Sequence, residues 1–374
     1  MERILFVNLE GTIGGAETSL VLTAKSLRTY FELAVACPCP SPLAEVLADH
    51  AIIAHSLPTH PRLSYRSPLC CLYWARTACR LLKLVRVIKP DLLHANNLCA
   101  GIACAVAALA TNTKLLLHMR DLVHLGLPSR VCSWFCHRVV AVSGAVRDEL
   151  GRCGVPPGKI TVLHNAVEDG CVESADGGML HKGENLHSDS FTFAHIGQFV
   201  PWKNHSLFLD AAARVARELP NGRFVLVGDD VFRRDSRYRR EVLGRIESSP
   251  VAGRITLTGW QDDMAQVWPW VDCLVHTADR EPFGRVIIEA MAHGIPVIAV
   301  GSCGPAEIIG HDESGILVPP RDPRALSLAM LQMARDRQLC GVIAMAGRER
   351  VRSRFTMAQM VPRLLQVYRE VLAG

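Results

Sequence analysis

No apolar run in these 374 residues approaches the ~20 needed for a helix to cross a bilayer, so no membrane span is predicted. The nearest, residues 98–110, is thirteen long and ends in a polar turn, which predicts a buried core helix. The N-terminal apolar stretch, Ile4-Leu-Phe-Val7, is too short for a secretory leader and predicts a first buried strand. A cytoplasmic address follows as an expectation, extended to a peripheral place on the inner face of the membrane. Paired cysteine motifs are missing too. Fourteen cysteines are scattered without a CxxC set, so neither a disulfide framework nor a zinc site is expected. Cys132, Cys136 and His137 come nearest to ligand spacing but lack a second pair. The chain has no GxxxxGK[ST] phosphate loop, no GxGxxG, and no low-complexity tract or short repeat.

What is present is globular: 49% hydrophobic residues and a mean hydropathy of +0.18. The length fits two domains of roughly 100 to 200 residues. A net charge of +5 is modest, and no nucleic-acid partner is expected. Its placement is more specific. Arg76, Arg80, Lys83, Arg86 and Lys89 recur every three or four residues on an apolar segment and form one basic helical face. That face is either solvated or drawn to an anionic membrane or acceptor. Arg233, Arg234, Arg237, Arg239 and Arg240 read as a solvated loop and helix start.

Short Val/Ile/Leu-rich runs alternate with helical patterns along nearly the whole chain, which predicts parallel sheets wrapped by helices. Strands are expected at 3–8, 32–36, 51–55, 91–94, 114–118, 138–142 and 160–163. The clearest helices are expected at 16–29, 69–88 and 145–153. Residues 168–190 are polar and glycine-rich without periodicity. Strands resume at 191–196, 223–227, 254–257, 273–276, 296–300 and 316–318. The expected organisation is a first α/β domain over 1–175, a linker over 176–190, a second over 191–350, and a C-terminal helix over 351–374 packing back on the first domain. Two such domains would leave a ligand cleft outside the strand ends.

The most specific motif is Glu281-Pro-Phe-Gly-Arg-Val-Ile-Ile-Glu289, a loop acid and a helix acid eight residues apart with Gly284 opening the helix between them. That spacing lets both acids face a ligand held at a helix N-terminus. Glycines also fall where strands should end: Gly14-Gly15-Ala16-Glu17, Gly197 followed by Lys203, Gly228-Asp229, Gly259-Trp260 and Gly301-Ser-Cys-Gly304. Lys203, at a strand-to-helix junction, suits a diphosphate as a point charge. Trp260 is a candidate for stacking on a base or for an ordinary interface. His118-Met-Arg-Asp121 ends an apolar strand and places His118, with Arg120 and Asp121 beside it, at a strand terminus.

Together with Val142-Ser143, Val162-Leu-His-Asn-Ala-Val167 and Gly315-Ile-Leu-Val-Pro-Pro320, these segments resemble glycosyltransferase family 4, the retaining family with the GT-B fold of two Rossmann-like domains. The resemblance implies transfer of a sugar from a nucleoside diphosphate, UDP ahead of GDP, to a saccharide, lipid-linked or small-molecule acceptor. Rival readings are a silent nucleotide-sugar-binding protein and a GT-B phosphorylase or epimerase. It implies donor contacts at Gly14, Gly15, Gly197, Gln198, Lys203, Gly228, Phe283, Gly284, Arg285, Val286 and Glu289. Glu289 would take the ribose, Glu281 the sugar hydroxyls, Lys203 the diphosphate, and His118 the sugar near its reacting carbon. Arg120 and Asp121 would lie on the acceptor side. It implies no metal and no cofactor, and the doublets Asp229-Asp230 and Asp262-Asp263 are ordinary turn acids. One departure stands out: Gln198 sits where members commonly carry an arginine, so either Lys203 with another base such as Arg285 supplies the phosphate charge, or donor affinity is weaker.

Overall fold

The computed structural model describes residues 1–59, 68–122, 127–173, 190–231 and 235–374. All of the expected linker except Ser190 lies outside these, as do Arg233 and Arg234. The chain divides into two compact units, Met1–Ala166 with Met357–Gly374, and Val167–Thr356.

The first unit runs β1 (Arg3–Val7), α1 (Gly15–Leu27), β2 (Glu32–Pro38), α2 (Pro42–Asp49), β3 (Ile53–Leu57), α3 (Pro68–Ile88), β4 (Leu92–Ala95), α4 (Leu98–Thr111), β5 (Lys114–Met119), α5 (Leu127–Phe135), β6 (Arg138–Ala141), α6 (Gly144–Arg152) and β7 (Ile160–Val162). Its seven strands pair in parallel in the order β3-β2-β1-β4-β5-β6-β7. The order reverses between β1 and β4, and right-handed crossovers therefore place α1 and α2 on one face and α3, α4 and α5 on the other.

The second unit runs α7 (Asp169–Glu173), β8 (Phe191–Ile196), α8 (His205–Glu218), β9 (Gly222–Val227), α9 (Ser236–Glu247), β10 (Ile255–Gly259), β11 (Cys273–His276), α10 (Arg285–Ala292), β12 (Val297–Val300), α11 (Gly304–Ile308), β13 (Ile316–Val318), α12 (Pro323–Arg335) and α13 (Arg337–Arg354). Its six strands, ordered β10-β9-β8-β11-β12-β13, are also parallel and reverse between β8 and β11. The last helix, α14 (Met357–Ala373), belongs to the first unit. There Met360, Leu364, Tyr368 and Val371 join a core with Ile4, Leu20, Leu27 and Leu116.

Three differences from the sequence reading have local causes. The first unit ends at Ala166 rather than 175, because the Arg348 guanidinium bonds the Val172 carbonyl and ties α7 to α13. Helix α2 carries only eight residues, too few for a clear period, yet Ser41 caps it by accepting from the Ala44 amide. Helix α4 is not fully buried. Gly101, Cys104 and Ala107 face inward, while Ile102, Val106 and Leu109 are exposed. No helix among the described residues is long and apolar enough to cross a membrane.

Five histidines, His94, His118, His195, His205 and His276, are buried in the two cores. Burial lowers the pKa of each, His205 to about 3. They are neutral in the folded state, so below about pH 6.5 the unfolded chain binds protons that the folded chain does not. Stability is therefore full above that value and declines as pH falls, by about 1.4 kcal/mol per pH unit for each histidine still neutral in the fold. The expected result is a urea midpoint clearly lower at pH 5.5 than at pH 7.5, and equal midpoints would contradict this account.

Candidate active site

In the second unit the switch point gathers the residues after β8 and β11. Gly197 follows β8, and the aliphatic stem of Lys203 lies over it, 3.4 Å from where a Cβ would stand. Residues Pro201–Lys203 form one 3-10 turn, and Asn204 then adopts a left-handed conformation and caps α8 through the Leu207 amide. The turn is fixed from two strands: after β11 the Thr277 hydroxyl donates to the Lys203 carbonyl (2.8 Å), and from β8 His195 Nε2 lies 3.2 Å from the same oxygen. Lys203 is thus aimed at Glu281, and its Nζ sits 2.5 Å from Glu281 Oε2. His276 Nε2 is 3.4 Å from that carboxylate oxygen. Burial alone would raise the Glu281 carboxyl. The Lys203 ammonium outweighs it and, with His276, holds the acid well below the usual carboxylate range.

The loop after Glu281 is built by close backbone approach. The Gly304 amide donates to the Glu281 carbonyl (3.0 Å), and a Cβ on Gly304 would meet Phe283 backbone at 2.3 Å. Gly284 has φ +104, a conformation that favours glycine, and starts α10. One turn in, Arg285 Nη2 donates to Glu289 Oε1 at 2.7 Å, so the charge noted for Arg285 is already engaged by the helix acid. Val286 lies half-buried between them. Gly228, φ +133, brings the end of β9 against the Gly197 carbonyl. Trp260 is half-buried and donates to Asp262. Arg239, read above as solvated, instead grips Asp229 with two nitrogens (2.5 and 3.2 Å), and that bond holds the Asp229 carboxyl low. Their sequence separation of ten residues hid this pair.

In the first unit the corresponding strand ends carry a continuous buried polar chain. Glu17 accepts from the Gly14 amide (3.1 Å) and from Asn8 (3.3 Å), which fixes the Gly14-Gly15 turn. Asn8 Oδ1 accepts from Asn96, and Asn96 Oδ1 accepts from Arg120 Nε at 2.7 Å. Arg120 also bonds Asn165 and approaches His118 Nδ1 at 3.4 Å. Arg120 is therefore buried and held within this polar chain, whereas Asp121 is exposed. Beyond His118 the chain continues: His94 Nε2 lies 3.2 Å from His118 Nδ1, and Tyr368 Oη lies 2.5 Å from His94 Nδ1.

This chain sets proton positions. A guanidinium only donates, so His118 Nδ1 is an acceptor. His94 must then donate from Nε2 and accept at Nδ1, which makes Tyr368 the donor; burial raises the tyrosine's pKa and keeps its proton. His118 consequently carries its proton on Nε2, which is buried and has no partner among the described residues. Such a nitrogen can donate to a ligand oxygen but cannot act as a base. Tyr368 is a positioning residue that acts through His94, and Tyr368→Phe is expected to release the Nε2–H tautomer of His94 while Arg120 still holds His118 Nδ1 as an acceptor, seen in long-range proton–nitrogen NMR spectra of histidine-labelled protein. Turnover should fall about tenfold with KM little changed. An unaltered His94 tautomer in the variant would refute the relay.

The sequence pointed to Lys203, Glu281, Glu289, Gly14, Gly15 and His118 as candidates, and did not single out Asn8, Asn96, His94, Tyr368, Thr277 and His276, which the fold places in bonding contact with them or with one another. The only signal for the last two was their place at the end of an apolar run. Gln198 is half-buried on the turn after Gly197.

Comparison with known proteins matches residues 179–350 to glycosyl transferases group 1 and residues 13–170 to Glycosyltransferase Family 4. The lipopolysaccharide core biosynthesis glycosyltransferase LpsE of Rhizobium meliloti (strain 1021) is 29% identical over 209 residues, covering 56% of this chain and 57% of that protein. N-acetyl-alpha-D-glucosaminyl L-malate synthase of Bacillus anthracis is 25% identical over 234 residues, covering 63% of this chain and 60% of the other. The matched stretch therefore spans less than two thirds of either relative. UDP-Gal:alpha-D-GlcNAc-diphosphoundecaprenol alpha-1,3-galactosyltransferase of Escherichia coli is 22% identical over 362 residues, covering 92% and 90%. Among solved structures, Anabaena HepE in complex with UDP and glucose superimposes with a TM-score of 0.85 at 24% identity, covering 98% of this chain and 99% of that one, a likeness of GT-B fold.

Proposed function

Because the chain belongs to glycosyltransferase family 4, we propose that it moves a sugar from a nucleoside diphosphate to a saccharide, lipid-linked or small-molecule acceptor with retention of configuration. The observation that carries this reading is the Lys203–Glu281 pair at the second unit's switch point, beside the start of α10. A diphosphate is a doubly acidic leaving group, and a preset ammonium with the free amides of a helix N-terminus meets the charge that grows on it. Glu281, kept ionised, accepts from sugar hydroxyls, and Glu289 accepts from ribose hydroxyls once it shares its bond to Arg285. In the first unit, the Nε2–H of His118 and the Gly15 amide are the donors offered to substrate oxygens, the Gly14 amide being held by Glu17. No metal or cofactor has a part in this scheme. UDP is favoured over GDP, since the galactosyltransferase above is named for UDP-Gal and the HepE structure holds UDP.

The test is a thermal-shift panel of nucleotides and nucleotide sugars. UDP and a UDP-sugar should raise the melting temperature, since ligand at a hundredfold its Kd adds about 2.7 kcal/mol to the native state. Glu289→Gln should abolish the shift. A panel with no stabilising nucleotide would overturn the proposal. NMR of the product's anomeric proton tests retention, and turnover with inorganic phosphate alone as acceptor would favour a phosphorylase.

A further inference from the structure

Helix α4 is built inside out. A helix on a sheet ordinarily buries its large apolar residues and exposes polar ones. Here Ala100, Gly101, Ala103, Cys104 and Ala107 pack inward, so closely that a Cβ on Gly101 would stand 2.8 Å from Leu117. Ile102, Val106 and Leu109, spaced i, i+4, i+7, form the outer stripe, with Val106 53% and Leu109 62% exposed. The next helix along the sheet, α5, adds Trp134, 55% exposed, and Phe135. The helix on the other side, α3, exposes Arg76, Arg80, Lys83 and Arg86, and α5 exposes Arg130. All three helices follow crossovers of one direction, and α4 packs against both α3 and α5, so their exposed sides share one face. The three helices together contain no aspartate or glutamate.

We propose that this face of the first unit docks on an anionic lipid bilayer, α4 and Trp134 entering the headgroup boundary while Lys83 and Arg86 contact lipid phosphates. An apolar stripe capped by an aromatic and bordered by cations without one carboxylate complements such a surface on both counts. A nucleic acid would match the cations but leave the aliphatic stripe in water, and a second copy would bring like charges together. The docking adds a location to the proposed transfer and does not depend on it, because it is read with no donor present.

Flotation of the full chain with vesicles tests it. The protein should float with an equal mixture of phosphatidylglycerol and phosphatidylcholine and remain at the bottom with phosphatidylcholine alone. Salt should weaken the binding. Lys83→Gln with Arg86→Gln should lower the partition coefficient roughly thirtyfold, and Val106→Ser with Leu109→Ser at least tenfold. These positions are exposed, and unchanged circular dichroism and melting temperature verify folding. Absence of flotation on the anionic vesicles, or flotation of both double variants like the parent, overturns the proposal. So does a dimer in sedimentation that Val106→Ser with Leu109→Ser dissolves, since the stripe would then be covered by a second copy.

Discussion

Lys203→Ala is expected to lower kcat by on the order of a hundredfold to a thousandfold, the usual cost of deleting one preorganised group that meets developing charge. The effect has two physical parts. The leaving diphosphate loses its ammonium, and Glu281 loses the charge that keeps it ionised. Without Lys203, burial dominates and the carboxyl moves up toward the neutral form, which accepts more weakly from sugar hydroxyls than the carboxylate does. The variant should also lose roughly 2–3 kcal/mol of stability, less than the full cost of orphaning a buried ion because both side chains keep some exposure. Lys203→Ala with Glu281→Gln removes the orphaned charge and should recover most of that stability but none of the turnover. Steady-state kinetics with denaturant unfolding on the three proteins decide the matter. Turnover above one tenth of the parent in Lys203→Ala would remove this residue from the mechanism.

Gly228→Ala is expected to be the most destabilising single methyl in the second unit, by roughly 3 kcal/mol or more. An added Cβ would lie 2.0 Å from the Gly197 carbonyl, and φ +133 is strained for any L side chain. Relief requires the ends of β8 and β9 to separate, and Lys203, whose stem rests on Gly197, moves with them. Gly244→Ala is the matched control. That glycine lies within α9, with no atom within 4 Å of the new Cβ. It should gain about 0.5–1 kcal/mol from helix propensity. If both variants unfold at the same denaturant concentration, the account of the Gly197–Gly228 contact fails.

The glycines were legible as turn residues in the sequence, but the reason for each was not. Gly284 is needed for its own backbone angle, whereas Gly304 is needed because Phe283, twenty-one positions earlier, leaves no room for a Cβ. Likewise the buried relay joins Asn8, Asn96, Arg120, His94 and Tyr368, partners as far as 274 positions apart. Single asparagines and histidines carry no periodic signal, so only the folding of β1, β4, β5 and α14 onto one another brings them within bonding distance.

What the chain order alone determined is the sequence of strands and helices, the parallel sheets that follow from it, and a loop acid and a helix acid on either side of Gly284. Those depend on local sterics and on hydrophobic period, which act over a few residues. Tertiary structure decided the pairing of Lys203 with Glu281 and of Arg285 with Glu289, the tautomer of His118, and the outward side of α4. An all-apolar helix offers no period to say which side faces in. Only the close approach of Leu117 to Gly101 selects the small residues for the interior and turns Val106 and Leu109 outward.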